Sequence, residues 1–94
     1  MFRKPERKIV YDSTVEATLE RALDEHERLY EVMRFFEWLL ERSPDSGHAE
    51  QMPPPNDDVW LIRTEDTPLT GVPSVRLLYT FDDDKVVFIG AQVS

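Results

Sequence analysis

The chain has no cysteine among its 94 residues. That excludes a disulfide framework, a zinc–thiolate centre and a thiol nucleophile. Glycine is scarce, at three residues, and none sits in a glycine-rich phosphate loop. Long hydrophobic runs are missing as well. The unbroken apolar stretches are a few residues each, against the roughly 20 needed to cross a bilayer. The opening Met-Phe-Arg-Lys-Pro-Glu-Arg-Lys is basic but no apolar segment follows it, so no secretory signal is expected. These absences lead to the expectation of a cytoplasmic protein with no membrane contact and no cofactor.

Positive charge is also in short supply. Eleven Lys and Arg face nineteen Asp and Glu, for a net charge of −8. An acidic chain repels nucleic-acid phosphates unless its positive charge is segregated. Some segregation is visible. Arg3, Lys4, Arg7 and Lys8 gather at the N-terminus, while acid gathers in the central region and in Asp82-Asp83-Asp84. Hydrophobic residues make up 40% of the chain, enough for a folded core. The length suits a single domain over residues 1–94.

What is present reads as an α+β pattern. Lys8–Asp12 predicts a short first strand through Ile9, Val10 and Tyr11. Ser13-Thr14-Val15-Glu16 matches a capping box. From there to Arg42 no glycine or proline occurs, and Val15, Leu19, Ala22, Leu29, Met33, Phe36 and Leu40 recur at helical spacing. One continuous helix would be about 43 Å long at about 1.5 Å per residue. The wholly polar run Asp24-Glu25-His26-Glu27-Arg28 instead favours a break and a helical hairpin. Both remain open at this point. Ser43-Pro44 ends the helical region, because the residue before proline is pushed out of the α conformation. Residues 43–58, with the triple proline 53–55, predict a linker loop, and 65–73 a second loop. The strands Val59–Thr64, Ser74–Phe81 and Val86–Val93 predict an antiparallel meander, with a tight turn at Asp82–Lys85.

Alternation assigns the faces. Val75, Leu77, Tyr79 and Phe81 form a core row, which leaves Arg76 on the far side. Arg63 joins it there if Trp60 and Ile62 point inward. In the last strand Val87, Ile89, Ala91 and Val93 form one row, with Val86, Phe88, Gly90 and Gln92 opposite. A charge inside a strand is costly unless it faces water or performs a task. Two arginines on adjacent strands therefore stand out as a candidate phosphate-binding pair.

The order of a short strand, a helical pair and a three-stranded meander resembles the RelE/ParE toxin superfamily. The segments carrying the resemblance are VRLLYTFDDDKVVFIGA (Val75–Ala91), VWLIRT (Val59–Thr64) and LLERSP (Leu39–Pro44). The resemblance implies a RelE-like fold, with the helices packed on the meander. It also implies a toxin-like component of a toxin–antitoxin system, either mRNA-endonuclease-like or gyrase-inhibitor-like. In the ribonuclease members, arginines on the concave sheet face hold the scissile phosphate. Carried over, Arg63 and Arg76 become the catalytic phosphate-binding pair. The expected partners are an antitoxin-like protein or a second copy, with RNA or the ribosome as target. This sequence departs from the pattern in two ways. Gln92–Ser94 contains no C-terminal histidine or tyrosine, and Asp45, Glu50, Asp57 and Asp58 stand where the family is basic. A degenerate endoribonuclease without activity is one consequence.

Other features point less far. His26 lies among acids on the helical region. His48 has Asp45 and Glu50 nearby, without a recognised metal-ligand spacing. Asp82-Asp83-Asp84 lacks the glycine and distal glutamate of a calcium loop. Phe35, Phe36, Trp38, Leu39 and Leu40 cover more than one helix face, which suggests a second apolar contact. A non-catalytic protein-interaction module on the same α+β scaffold is thus an alternative, and an acidic mimic that occupies a basic cleft is a third.

Overall fold

The structure is a computed structural model that describes residues 6–45, 47–64 and 73–94. Arg3, Lys4 and most of the predicted loop 65–73 lie outside the described residues. The elements in chain order are β1 (Lys8–Tyr11), α1 (Ser13–Glu25), α2 (Leu29–Arg42), β2 (Ala49–Gln51), β3 (Trp60–Arg63), β4 (Val75–Phe81) and β5 (Lys85–Val93). The described residues form a small α+β domain with two helices and a five-stranded sheet.

The helical region breaks into two. His26-Glu27-Arg28 separates α1 from α2, within the polar run that offers nothing to hold against a core. The cap of α1 corrects the capping-box expectation. Asp12 is the N-cap, and its carboxylate accepts from the Thr14 amide at 2.9 Å and the Thr14 hydroxyl at 2.7 Å. Ser13 is the first helical residue instead. An ionised carboxylate is a stronger acceptor than a serine hydroxyl, and it also complements the positive helix end. Those two bonds hold the Asp12 carboxyl below its ordinary range. Along α2, Leu29, Met33, Phe36 and Leu40 form one buried stripe. Pro44 follows directly on its C-cap, Ser43.

The sheet order is β1-β5-β4-β3-β2. β3, β4 and β5 form the predicted antiparallel meander. β1 adds to β5 in parallel, so the sheet is mixed. β2 lies inside the stretch predicted as a linker loop and pairs antiparallel with β3. Its three residues are too few to show a period.

Both helices cover one face of the sheet. Val15 and Leu19 of α1 and the α2 stripe meet Ile62, Val75, Leu77, Tyr79, Val86 and Phe88 in one core. The predicted parity of β5 needs correction at this point. Val86 and Phe88 are core residues, yet Ala91 and Val93 pack on the same core. The register explains this. Leu78 pairs with Gly90 but Tyr79 pairs with Phe88, so Ile89 is an extra residue, a β-bulge. The bulge restores the core row beyond it, and Ile89 itself is exposed.

Arg7 also departs from the expected N-terminal basic patch. It is buried, with its Nε donating to the Asp82 carbonyl at 2.7 Å and its guanidinium 5.8 Å from the Phe81 ring centre. It is part of the scaffold that fixes the β4–β5 turn.

Candidate functional site

The face of the sheet away from the helices carries the predicted pair. Arg63 and Arg76 are direct register partners on β3 and β4. Their neighbours Ile62 and Leu77 point into the core, so both arginines emerge on the open side. The next residue along the row is Gln92 of β5, opposite Arg76. The bulge at Ile89 is what brings Gln92 onto this face.

These residues line a pocket of about 250 Å³ with Thr64, Ser74 and Ser94. Its far wall is held by backbone pairing. Ser74 and Ser94 exchange amide–carbonyl bonds of 3.0 and 2.9 Å. Thr64 is locked to β4, since its amide donates to the Val75 carbonyl and its hydroxyl accepts from the Val75 amide at 3.1 Å. The lining therefore offers two guanidinium groups, hydroxyls and a carboxamide. No carboxylate, histidine or tyrosine side chain is among the described lining residues. Like charges directly opposite on a sheet repel. An anion between them converts that repulsion into charge-assisted hydrogen bonds. The pocket has the donor set to hold an oxyanion such as a phosphate. Among its described lining residues no side chain is suited to moving a proton near neutral pH.

A second cationic pair lies on the same face. Lys8 and Lys85 are register partners on β1 and β5. Here acid is close by. The Lys8 amide donates to the Asp84 carbonyl, and the Lys85 charge helps to lower the Asp82 carboxyl. The larger cause of that lowering is the pair of bonds from the Asp84 and Lys85 amides. The lysine end of the face is thus offset by the turn. Between the two lie Leu61, Leu78 and Val87, half-buried, with no side chain packed over them from the helices.

The helix side has surfaces of its own. Phe35 and Trp38 are 53% and 54% exposed and stack at 6.5 Å. The Arg42 guanidinium lies 4.9 Å from the Trp38 ring centre. An apolar groove of about 400 Å³ runs beside them, floored by Phe36, Leu39 and Ile62, with His48 and Arg63 on its rim. His48 therefore adjoins the arginine pair from the other side of β3. No group of three His, Asp or Glu able to hold a metal occurs among the described residues. His26 is the C-cap of α1.

Sequence reasoning missed Thr64, Ser74 and Gln92 as parts of the pocket. Ser74 and Thr64 had a usable signal, since both flank the arginine strands. Gln92 had none, because strict alternation assigns it to the row of the core residues Val86 and Phe88.

No family model, no curated protein and no solved structure matches the chain. Among the described residues no helix is long and apolar enough to cross a membrane.

Proposed function

We propose that this chain is a toxin-like component of a toxin–antitoxin module, of RelE/ParE type, that grips a phosphate of its RNA target between Arg63 and Arg76. The observation that carries the reading is their direct cross-strand pairing on the open face of the sheet. The element order supports it further, with a short strand and two helices preceding the meander. The composition of the pocket favours binding over cleavage. Guanidinium groups stabilise charge on phosphate oxygens. General acid–base catalysis needs a side chain that exchanges a proton in the working pH range, and the described lining supplies none. Toxicity on this reading comes from occupancy of the target.

The test combines inducible expression with binding of a labelled single-stranded RNA. Arg63→Ala with Arg76→Ala abolishes growth arrest and weakens RNA binding by about a hundredfold to ten-thousandfold, from two charge-assisted bonds of about 1.5–3 kcal/mol each. Growth arrest that persists in the double variant removes the phosphate site from the function.

A second reading rests on a different observation. Phe35 and Trp38 present stacked aromatic rings to solvent on the outer side of α2. Exposed aromatic side chains of this kind anchor protein interfaces. On that reading the chain is a non-catalytic interaction module. Phe35→Ala with Trp38→Ala then removes partner retention and leaves RNA binding unchanged.

A further inference from the structure

A third surface lies between the two helices, on the side of the domain away from the arginine pair. It is a groove of about 230 Å³. Its floor is apolar, made by the buried side chains of Leu19, Leu29 and Met33. Leu23 and Tyr30 extend that floor into solvent, at 39% and 58% exposure. Three carboxylates stand round the rim: Glu16 and Glu20 on α1 and Glu37 on α2. Glu37 stands beside the Tyr11 hydroxyl, and its charge helps burial to raise the Tyr11 pKa. Glu16 and Glu20 form no ion pair with any described residue. They lie four residues apart on one helix, a spacing at which like charges repel.

We infer that this groove receives a cationic amphipathic helix of a partner protein. The shape of the floor points to a helix. Leu23 on α1 and Tyr30 on α2 stand up on either side of it, and Leu19, Leu29 and Met33 between them are buried in the core. A third helix lays its apolar stripe into the valley between these two side chains. The rim sets the charge of that helix. Lysine or arginine four residues apart on it meets Glu16 and Glu20 and relieves their repulsion. The same rim excludes the other occupants. A second copy of this chain would present α1, which has Arg21 as its one basic residue against Glu16, Glu20, Asp24 and Glu25. Anionic lipid and nucleic acid meet the same carboxylates. The inference does not depend on the phosphate site, because the two surfaces are on opposite sides of the sheet.

The test is fluorescence anisotropy with a labelled synthetic helical peptide whose leucine stripe is flanked by lysines. The control peptide has the same stripe flanked by glutamates. The lysine peptide binds the wild-type chain and the glutamate peptide does not. Glu16→Lys with Glu20→Lys, Glu16→Gln with Glu20→Gln, and Leu23→Ser each weaken the lysine peptide by about tenfold or more. These positions are exposed, and circular dichroism checks that the variants stay folded. Asp57→Lys with Asp58→Lys makes the same change in net charge on a distant loop, and it leaves affinity within about twofold. Four results overturn the inference: no binding of the lysine peptide, equal binding of both peptides, an equal loss in the Asp57/Asp58 variant, or a dimer in sedimentation that Leu23→Ser dissolves.

Discussion

The Tyr79 hydroxyl donates to the Pro44 carbonyl and so ties the middle of β4 to the residue that follows α2. Tyr79 has no exposed surface, and Pro44 is buried. Removing the hydroxyl leaves the carbonyl without its donor inside the core. Tyr79→Phe is expected to cost about 1–3 kcal/mol, the penalty for a buried unsatisfied polar group. Urea denaturation measures it. A loss indistinguishable from zero would show that water replaces the bond.

The same phenol predicts alkaline behaviour. Burial, followed by the charge of Asp45, raises the pKa of Tyr79 above its ordinary 10.0. The unfolded chain therefore releases this proton near pH 10 while the native state keeps it. The contribution is complete below that pH and declines as the pH rises above it. The decline is about 1.4 kcal/mol per pH unit for one such group. Burial, with Glu37 next, raises Tyr11 in the same direction. Stability measured between about pH 10 and about pH 11 should fall less steeply in Tyr79→Phe than in the wild type. Parallel slopes would place the Tyr79 proton in contact with solvent.

Arg63 and Arg76 predict opposite effects on stability and on binding. Facing like charges on neighbouring strands cost the fold a few tenths of a kcal/mol. Arg76→Gln relieves that repulsion and keeps a side chain of similar reach. The urea midpoint at low salt should rise, by an amount equal to about 0.2–1 kcal/mol. Inorganic phosphate affinity should drop in the same variant. Loss of both stability and affinity would mean that Arg76 is a structural residue and not a binding one.

Much of this architecture is legible from residue order. The helices show in the spacing of Val15, Leu19, Leu29, Met33, Phe36 and Leu40, and their break shows in the polar run around His26. The core row Val75, Leu77, Tyr79 follows from simple alternation, and with it the emergence of Arg76 on the far side. Three features have no local signature that places them. β2 is three residues long and exists because β3 offers it a partner. The parallel pairing of β1 with β5 joins residues far apart in the chain. The bulge at Ile89 interrupts the alternation from which faces are read, and its single cue is Gly90, an isolated glycine that does not say where the extra residue falls. The pocket was half legible for the same reason: its arginines obey alternation, and Gln92 is placed by the bulge.

The cap of α1 separates two ways of starting one helix. If Asp12 is the cap, Asp12→Ala lowers the thermal midpoint clearly and Ser13→Ala barely changes it. A capping box centred on Ser13 gives the reverse order. The pH dependence follows from the lowered Asp12 carboxyl. Its contribution is in place above the ordinary carboxylate pKa and disappears as pH falls through the lowered one. The difference between wild type and Asp12→Ala should therefore shrink in acid. A difference that persists unchanged to low pH would exclude the ionised carboxylate as the source.

The bulge gives the sharpest test of the fold, because deletion normally ruins a strand. Losing one residue flips every later side chain to the other face. Ile89 is the exception. With it removed, Phe88, Gly90 and Ala91 alternate strictly, so Phe88 stays inward while Ala91 and Val93 keep the core side they already occupy. Arg76 keeps Gln92 opposite it. The pairing of β1 with β5 ends at Tyr11 and Phe88, before the deleted position. Deletion of Ile89 should leave a cooperative unfolding transition, at a cost of roughly 1–3 kcal/mol. Deletion of Val87, two residues earlier, breaks the alternation that places both Val86 and Phe88 in the core and should cost more than about 4 kcal/mol. Near-UV circular dichroism and urea unfolding of the two deletions decide the matter. If deletion of Ile89 unfolds the chain as completely as deletion of Val87, the extra residue is not where the register puts it, and the placement of Gln92 beside Arg76 fails with it.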